Sequence, residues 1–397
     1  MAMARETAGE RSDGGAAPVF EELVNRLDPS VLEVPAGSAV VRLVEPEGPD
    51  CCVRIDSSGA TLTPTPRRPH PDAVLTAGTE TWRSLASDIA GGMDAYRRGK
   101  LEVRGNLHVG VGFLAATARS SGAGRLRFRQ VPTAAGTVSV LEAGRGSAVL
   151  MAHGLGATKA SFLPTVAALA REHRCIAMDL PGFGDSDKPL FAPYDADFFA
   201  DSMSALLDAL EIRRADVVGH SMGGRAALQL ALRTPKRVRR LVLLTPSLAW
   251  RRNRRWSSLL RFVPPELGVL QLAPRQVVER VLDQLLPEAA SGWAAAGKDE
   301  FLRSYLTPAG RAAFYAAARQ IYLERPDGDD GFWTRLGTLR TPSLWIWGRH
   351  DRLVPAGFRR HVAAALPAAR QLTVDSGHVA QLERPREVHA AVASFLT

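Results

Sequence analysis

The stretch VVGHSMGG, residues 217–224, decides how the rest of the chain is interpreted. The apolar residues 215–218 predict a buried strand, and the helix formers 225–232 predict a helix directly after it. Between them lies G-x-S-x-G with Ser221 at its centre, which is the pattern of a strand-turn-helix nucleophile elbow. Such a turn holds its central residue in a strained backbone conformation between glycines and presents the hydroxyl at the positive end of the helix. Ser221 is therefore the candidate nucleophile, and a motif this short needs support from elsewhere in the chain.

A second motif, HGLG at residues 153–156, follows the continuously apolar run 148–151. Strand ends of open parallel sheets are where active sites form. Glycines at such a point allow the backbone to approach a substrate closely, so Gly154 is a candidate substrate-binding residue. The Leu155 N–H, together with the Met222 N–H of the elbow, is the candidate oxyanion hole.

Two more motifs complete the set at predicted strand ends. WGRHDRLVP, residues 347–355, carries Asp351, and DSGH, residues 375–378, carries His378. The chain order is therefore Ser, then acid, then His, which differs from the order in the two main serine protease folds. The interpretation is that Ser221 attacks a carbonyl, His378 takes its proton, and Asp351 orients and stabilises the protonated imidazole.

Residues from about 125 to 397 resemble the alpha/beta-hydrolase family through these motifs and through DLPGFGDSDKP at 179–189, which matches a structural turn of that family. The resemblance implies an α/β fold with a doubly wound, mostly parallel sheet and a helical cap. Relatives of this fold that act as dehalogenases or epoxide hydrolases carry Asp at the elbow centre, and Ser221 excludes them. Hydrolysis of esters, thioesters, lactones or carbon–carbon bonds (the meta-cleavage type) remains, as does perhydrolysis without a cofactor.

The segment from about 246 to 339 is the predicted cap, because it separates the strand after the elbow helix from the strand that leads to Asp351. Trp250 and Trp256 are candidate substrate-binding residues there, with the alternative that they form the core of the cap. Arginine and aromatic residues interleave over 250–262. This pattern fits either an interfacial helix that contacts an anionic membrane or a solvated face of the cap.

The first part of the chain has a different pattern. Residues 1–17 predict a disordered leader, and residues 18–122 predict a small α+β domain of short strands followed by helices. Residues 71–115 resemble the sterol-carrier-protein (lipid-transfer) family, most clearly in the strand that spans 99–105. That resemblance implies an apolar tunnel for a sterol or acyl chain. Six apolar residues would line this tunnel or simply close a small core: Trp82, Leu85, Ile89, Leu107, Val111 and Phe113.

Composition bounds the possible partners. The chain has 397 residues and a net charge of +9, but the basic excess is scattered arginine and no nucleic-acid-binding module is recognisable. The three cysteines, Cys51, Cys52 and Cys175, form neither a disulfide framework nor a zinc spacing, and together with the lack of a signal peptide they predict a cytoplasmic protein. No metal-ligand cluster is visible, so the expectation is catalysis without metal or cofactor.

The sequence thus predicts a serine hydrolase that acts on the ester or thioester bond of an apolar, lipid-like small molecule. One alternative is a carbon–carbon bond hydrolase, which needs the same three residues. Another is a lipid-binding or lipid-transfer protein whose hydrolase part is vestigial.

Overall fold

The computed structural model describes residues 18–46, 48, 50–63, 70–87, 95–96, 98–119, 125–249, 264–270, 274–285 and 292–397. The predicted leader, residues 1–17, lies outside them. The helices are α1 (Pro18–Asn25), α2 (Thr79–Ser87), α3 (Leu107–Ala116), α4 (Leu163–Leu169), α5 (Ala196–Ala209), α6 (Ser221–Arg233), α7 (Arg275–Leu285), α8 (Gly292–Tyr305), α9 (Pro308–Leu323), α10 (Phe332–Leu336), α11 (Phe358–Ala365), α12 (Ala380–Glu383) and α13 (Pro385–Leu396). The strands are β1 (Ser38–Val44), β2 (Asp50–Asp56), β3 (Gly59–Thr63), β4 (Ala73–Ala77), β5 (Leu101–Gly105), β6 (Arg127–Thr133), β7 (Gly136–Ala143), β8 (Ser147–Ala152), β9 (His173–Met178), β10 (Ala215–His220), β11 (Val238–Leu244), β12 (Ser343–Gly348) and β13 (Arg370–Val374).

The N-terminal part of the chain, residues 18–122 as far as they are described, contains a five-stranded sheet in the order β3-β2-β1-β4-β5. β1 pairs parallel to β4, and the other neighbours are antiparallel. Buried residues alternate along β1, so one face of the sheet packs inward while the other faces solvent. The strands and helices follow the predicted order, and Trp82 of α2 is buried with its indole N–H donating to the Val44 carbonyl at 3.2 Å. Kinship with the sterol-carrier family stays a prediction.

Helix α3 is buried along its whole length, as its apolar sequence predicts. Asn106 caps its start by accepting a hydrogen bond from the Val109 N–H at 3.2 Å. The helix lies close to β5 and to the chain before β1: a methyl group on Gly110 would lie 2.8 Å from Val103, and one on Gly112 would collide with Leu32. The apolar residues that surround α3 form one continuous cluster with those of the second sheet.

The second sheet has eight strands in the order β13-β12-β11-β10-β8-β9-β7-β6. The six strands from β13 to β9 pair in parallel, whereas β7 and β6 are antiparallel, so the sheet is mixed but mostly parallel. Alternate residues face two different cores: Val149 and Met151 of β8 belong to the cluster shared with the N-terminal part, and Leu150 belongs to the cluster on the opposite face. Apolar residues on both faces explain why β8 is continuously hydrophobic.

The alternation of Leu126 and Phe128 with arginines predicts a half-exposed edge strand, and β6 is the last strand of the sheet with burial that alternates along it. At Phe128 a further segment of the chain pairs with this edge. The Phe128 N–H donates to the Val31 carbonyl at 2.7 Å, and the Glu33 N–H donates to the Phe128 carbonyl at 3.0 Å. The chain before β1 therefore extends the large sheet by a short bridge. Phe128 is only 2% exposed, because the N-terminal part covers an edge that sequence reasoning left open.

Between β11 and β12 the described chain is helical. It contains a 3-10 helix at Pro265–Leu270 and the helices α7 to α10. Among the described residues, no helix has the length and hydrophobicity needed to cross a membrane.

Candidate active site

The elbow is formed where β10 ends and α6 begins, at Ser221. This residue has a φ of 50°, the strained conformation that the motif predicts. A methyl group on Gly219 would lie 2.5 Å from the Gly223 carbonyl oxygen, and one on Gly223 would collide with the Ala152 carbonyl of β8. Both positions need glycine because the turn presses the strand and the helix together.

The structure brings Ser221, Asp351 and His378 together from three separate strand ends. His378 Nε2 lies 2.9 Å from Ser221 Oγ, and His378 Nδ1 lies 2.7 Å from Asp351 Oδ2. Because Asp351 accepts the Nδ1 proton, the Nε2 lone pair is left to accept the Ser221 hydroxyl proton. The geometry is that of a nucleophile, a base and a group that orients the base.

Asp351 is fixed by its own loop. Its Oδ1 accepts hydrogen bonds from the Leu353 and Val354 N–H groups at 2.8 and 2.9 Å, and its side chain is fully buried. The second oxygen is therefore aimed at His378 with little freedom to turn away. Such second contacts are what hold catalytic groups in productive geometry.

The backbone around His378 is held by three residues that sequence reasoning did not identify as positioning groups. The His378 carbonyl accepts hydrogen bonds from His220 Nε2 at 2.9 Å and from Thr245 Oγ at 2.7 Å. The Glu383 carboxylate accepts from the N–H groups on either side, those of Gly377 at 2.6 Å and Val379 at 3.0 Å. The only sequence signal is the position of His220 next to the nucleophile, which predicts a packing role because the elbow aims only its central residue at the site.

Replacing Glu383 by Ala is expected to lower kcat by roughly tenfold while KM changes little. The His378 loop loses its hydrogen bonds to the Glu383 carboxylate and becomes looser, but no contact with substrate is removed. Glu383→Gln keeps one acceptor oxygen, so its kcat is expected to lie between those of the parent and Glu383→Ala. Steady-state kinetics measure the effect, with exposed Glu387→Gln as the control. An unchanged kcat in Glu383→Ala would show that the hydrogen bonds to Glu383 do not position His378.

His220 is buried between the elbow and the His378 loop. Burial, reinforced by nearby His378, lowers the pKa of His220 to about 3. His220 is therefore neutral, with its Nε2 proton given to the His378 carbonyl and its Nδ1 facing the HGLG loop, where a methyl group on Gly154 would lie 2.8 Å away.

This neutral histidine predicts a loss of stability in acid. The unfolded chain takes up a proton near the ordinary histidine pKa, but the folded protein does not until about pH 3. Stability is therefore complete above about pH 6.5 and decreases as the pH falls through the window between the two values. At pH 5 the protonation of His220 in the unfolded chain lowers the free energy of unfolding by about 2 kcal/mol.

Chemical denaturation at pH 7.5 and pH 5 measures this effect. His220→Gln is expected to lose less stability than the parent over this interval. His70→Gln, which changes an exposed histidine, should match the parent. An identical pH dependence in His220→Gln would contradict the assignment of a neutral buried imidazole.

The HGLG loop lies directly against the elbow. A methyl group on Gly154 would lie 3.1 Å from the Ser221 Cβ. His153 fixes the loop from within: its Nδ1 donates to the Gly154 carbonyl at 2.8 Å, and its Nε2 accepts from the Leu180 N–H at 3.0 Å. Burial lowers the pKa of His153, which keeps the ring neutral and suited to both roles.

The candidate oxyanion donors sit on the two sides of this contact. The Gly223 N–H of the first helical turn is taken by the His153 carbonyl at 3.0 Å. Among the described residues, no hydrogen bond between separate segments uses the Leu155 N–H or the Met222 N–H, and Met222 stands in the first turn of α6, where N–H groups have no acceptor within the helix. Two unpartnered donors beside the nucleophile are what an oxyanion hole requires.

The described part of the cap adds an aromatic wall. The rings of Phe301, Tyr305 and Phe314 are half-buried and contact one another with centroids 5.0 to 5.6 Å apart. A methyl group on Gly156 would lie 2.6 Å from the Phe301 ring and 3.3 Å from Phe314. Phe301 was missed in the sequence because nothing in its surroundings separates a pocket residue from a core residue. Trp250 and Trp256 lie outside the described residues.

Charged side chains near the HGLG loop form ion pairs with one another. Lys159 is buried and donates to Asp179 at 2.6 Å, while Arg303 of α8 donates to Asp185 at 2.6 Å. Burial alone would lower the pKa of Lys159, but the Asp179 and Asp185 carboxylates raise it above the ordinary value. The turn at 179–189 is therefore structural, as the sequence predicts. No group of three or more His, Cys, Asp or Glu side chains in the described chain is arranged to hold a metal ion.

A family model described as alpha/beta hydrolase fold matches residues 147–385, which is more than half of the chain. The chain belongs to the alpha/beta hydrolase family. The predicted resemblance is thus confirmed for residues 147–385, and the protein is a hydrolase of this family. The matched range contains all three motifs that meet at Ser221.

Two relatives of this alpha/beta hydrolase are hydrolases by name. One is the 2-hydroxymuconate semialdehyde hydrolase of Pseudomonas sp. (strain CF600), 31% identical over 276 residues, or 68% of this chain and 93% of the relative. The other is the 2-hydroxy-6-oxononadienedioate/2-hydroxy-6-oxononatrienedioate hydrolase of Paraburkholderia xenovorans (strain LB400), 31% identical, covering 64% of this chain and 89% of the relative.

Among solved structures, a membrane phospholipase A described as a bacterial virulence factor is 28% identical with a TM-score of 0.57. The match covers 69% of this chain and 86% of that one. A hydrolase from Pseudomonas aeruginosa PA01 is 26% identical with the same TM-score, covering 69% of this chain and 99% of the other. These relatives span more than one kind of hydrolase, so family membership alone leaves the bond that is cleaved open.

Proposed function

We propose that this alpha/beta hydrolase is a serine hydrolase that cleaves the carboxylic ester or thioester bond of an apolar, lipid-like small molecule. The observation that carries the proposal is the relay from Ser221 Oγ to His378 Nε2 at 2.9 Å and from His378 Nδ1 to Asp351 at 2.7 Å. This arrangement activates a hydroxyl for attack on an acyl carbon without a cofactor.

The proposed reaction has two halves. Ser221 Oγ bonds to the substrate carbonyl carbon as His378 Nε2 takes its proton, and the oxygen that gains charge is stabilised by the Leu155 and Met222 N–H groups. Collapse breaks the bond to the leaving group, which receives the proton from His378. Water then adds to the acyl-enzyme by the same steps and releases the acid. Asp351 stabilises the protonated imidazole in both halves.

The surroundings of Ser221 support an apolar substrate. The half-buried rings of Phe301 and Phe314 lie over Gly156, two residues from the glycine that touches the nucleophile. Lys159, the cation that follows the HGLG loop, is neutralised by Asp179. An aromatic wall favours an acyl chain or an apolar alcohol group over a charged one.

The second candidate function is carbon–carbon bond hydrolysis of the meta-cleavage type. The names of the two relatives at 31% identity support it, and it uses the same three residues. Such substrates carry carboxylates, for which the cap would need to provide a cation. The arginines of residues 251–261 lie outside the described part of the chain.

A parallel assay separates the two candidates. The protein is given p-nitrophenyl esters of two to twelve carbons and, separately, a ring-cleavage dienoate whose absorbance disappears on hydrolysis. We expect kcat/KM for the best ester to exceed that for the dienoate by at least about tenfold, the scale on which pockets discriminate. The reverse ranking would replace the ester proposal with the carbon–carbon one.

For residues 18–122 we propose binding of the lipid substrate. The order of strands and helices there supports the proposal, whereas the complete burial of α3 in a shared core supports a purely structural role. Deleting this part would expose that core, so the test uses the full chain with Ser221→Ala and a fluorescent fatty acyl probe. Saturable binding of two probe molecules per chain is expected, one in the hydrolase pocket and one in residues 18–122. A stoichiometry of one or none would contradict the proposal.

The alternative of a vestigial hydrolase that only transfers lipid has its own test. A fluorophosphonate probe reacts with an activated serine, so we expect labelling of the parent protein and none in Ser221→Ala. Lipid binding without labelling of the parent would favour the transfer protein. The predicted contact with an anionic membrane rests on residues 250–262, outside the described part, and stays a prediction.

A further inference from the structure

Helix α8 of the cap runs between the N-terminal part and the HGLG loop, and three consecutive residues of it face in these two directions. Asp299 and Glu300 contact the N-terminal part, whereas Phe301 contacts the loop at Gly156. The two carboxylates are only 8% and 3% exposed. A segment this short transmits any displacement of the carboxylates directly to the ring.

The carboxylates bind the turn between β5 and α3. Asp299 accepts two hydrogen bonds from the Arg104 guanidinium, at 2.6 and 3.1 Å, and one from the Gly105 N–H at 3.0 Å. Glu300 accepts from the Leu107 N–H, at the positive end of α3, at 2.6 Å. Bidentate and charge-assisted bonds of this kind fix direction as well as distance.

Glu300 is also tied to the hydrolase core. Arg303 donates to Glu300 at 2.9 Å and to Asp185 at 2.6 Å, and Asp185 also lies 3.4 Å from both Lys159 and His108 of α3. The cap, the core and the N-terminal part therefore meet in one buried network. Buried charges of both signs hold their partners because an unpaired charge there is costly.

Phe301 is the residue of α8 that contacts the HGLG loop of the active site. The Phe301 ring stands against Gly156 of the HGLG loop, and the preceding residue is Leu155, whose N–H is a candidate oxyanion donor. A substrate carbonyl bound at that donor would bring its acyl or alcohol substituent near the ring. The ring is half-buried and is backed by Tyr305 and Phe314.

We propose that Phe301 is a specificity-determining residue that limits the length or bulk of the acyl group, and that the N-terminal part sets its position through Asp299 and Glu300. The inference rests on the proposed ester hydrolysis. It gives the N-terminal part a role that requires no lipid to bind there: it acts as the fixed support for one wall of the pocket.

The test measures kcat/KM of the full chain for p-nitrophenyl esters of two to twelve carbons in three variants. Phe301→Ala removes the aromatic ring, and the double variant Asp299→Asn/Glu300→Gln removes the carboxylate charges that hold the ring's helix against the N-terminal part. Because the loss of two buried charges destabilises the fold, Arg104→Gln is included as a milder change that removes the contact from the N-terminal side. Glu324→Gln is the matched control, since Glu324 pairs cap to core at Arg225 without contacting the N-terminal part.

In Phe301→Ala we expect the ratio of kcat/KM for long esters to that for the acetate to rise by roughly tenfold, mainly through KM. Arg104→Gln and the double variant should shift the ratio in the same direction by a smaller factor, while Glu324→Gln leaves it unchanged. A ratio within twofold of the parent in Phe301→Ala, or in both release variants, overturns the inference.

Labelling by a small fluorophosphonate separates this outcome from failure of the proposed function. Arg104→Gln and Glu324→Gln are expected to label at Ser221 at rates within about twofold of the parent, because the relay is intact. A parent protein that neither labels nor turns over any ester would remove the proposed function itself. A parent that labels while the chain-length profile ignores Phe301 would overturn only the inference.

Discussion

Ser221→Ala is expected to lower kcat for ester hydrolysis by roughly 10⁴-fold or more while KM changes little. The variant lacks the oxygen that forms the acyl-enzyme, and only the oxyanion donors and substrate binding remain to assist water. The methyl group that remains fits the elbow, because the strain at φ 50° is set by the backbone and not by the hydroxyl. Steady-state hydrolysis of the best p-nitrophenyl ester measures the loss.

The control for this change is another buried serine. Ser202 of α5 donates to the Phe198 carbonyl at 3.0 Å, on the far side of the same core. Ser202→Ala removes the same oxygen atom but is expected to keep kcat within about twofold. Activity in Ser221→Ala above about one per cent of the parent would contradict its role as the nucleophile.

Asp351→Asn is expected to lower kcat by about 10⁴-fold without loss of the fold. The Asn oxygen can still accept from the Leu353 and Val354 N–H groups, so the loop is retained. The amide nitrogen then faces His378 Nδ1 as a donor. It therefore favours the tautomer with the proton on Nε2, which cannot accept the Ser221 hydroxyl proton.

Asp375→Asn is the matched control, because Asp375 lies in the neighbouring loop and pairs with His350 and Arg384 at the surface. It should retain nearly full activity. Thermal denaturation of both variants separates a change in chemistry from a loss of structure. An Asp351→Asn variant that is folded and retains most of its kcat would show that His378 does not depend on this carboxylate.

The sequence predicts most of the candidate site because each motif is local. Ser221, Asp351 and His378 each follow a recognisable strand, and parallel strands bring their ends to one edge of a sheet. The strained φ of Ser221 also follows from glycines within two residues of it. The alpha/beta fold itself is predicted from the alternation of strands and helices, and the family match confirms it.

What the sequence does not predict are contacts between distant segments. The Thr245 hydroxyl reaches the His378 carbonyl across 133 positions, and Arg104 reaches Asp299 across 195. Neither end of such a pair differs locally from a solvated side chain. The same holds for α3: its apolar sequence predicts burial on all sides, but not that the core of the large sheet would supply one of those sides.

The most direct test of the central claim is the intact mass of the protein quenched in acid within a second of mixing with a p-nitrophenyl ester. The proposed mechanism predicts an increase equal to one acyl group, located by digestion to the peptide that contains Ser221 and absent from Ser221→Ala. Ester turnover at the parent rate with no adduct, or with an adduct on another residue, would contradict it.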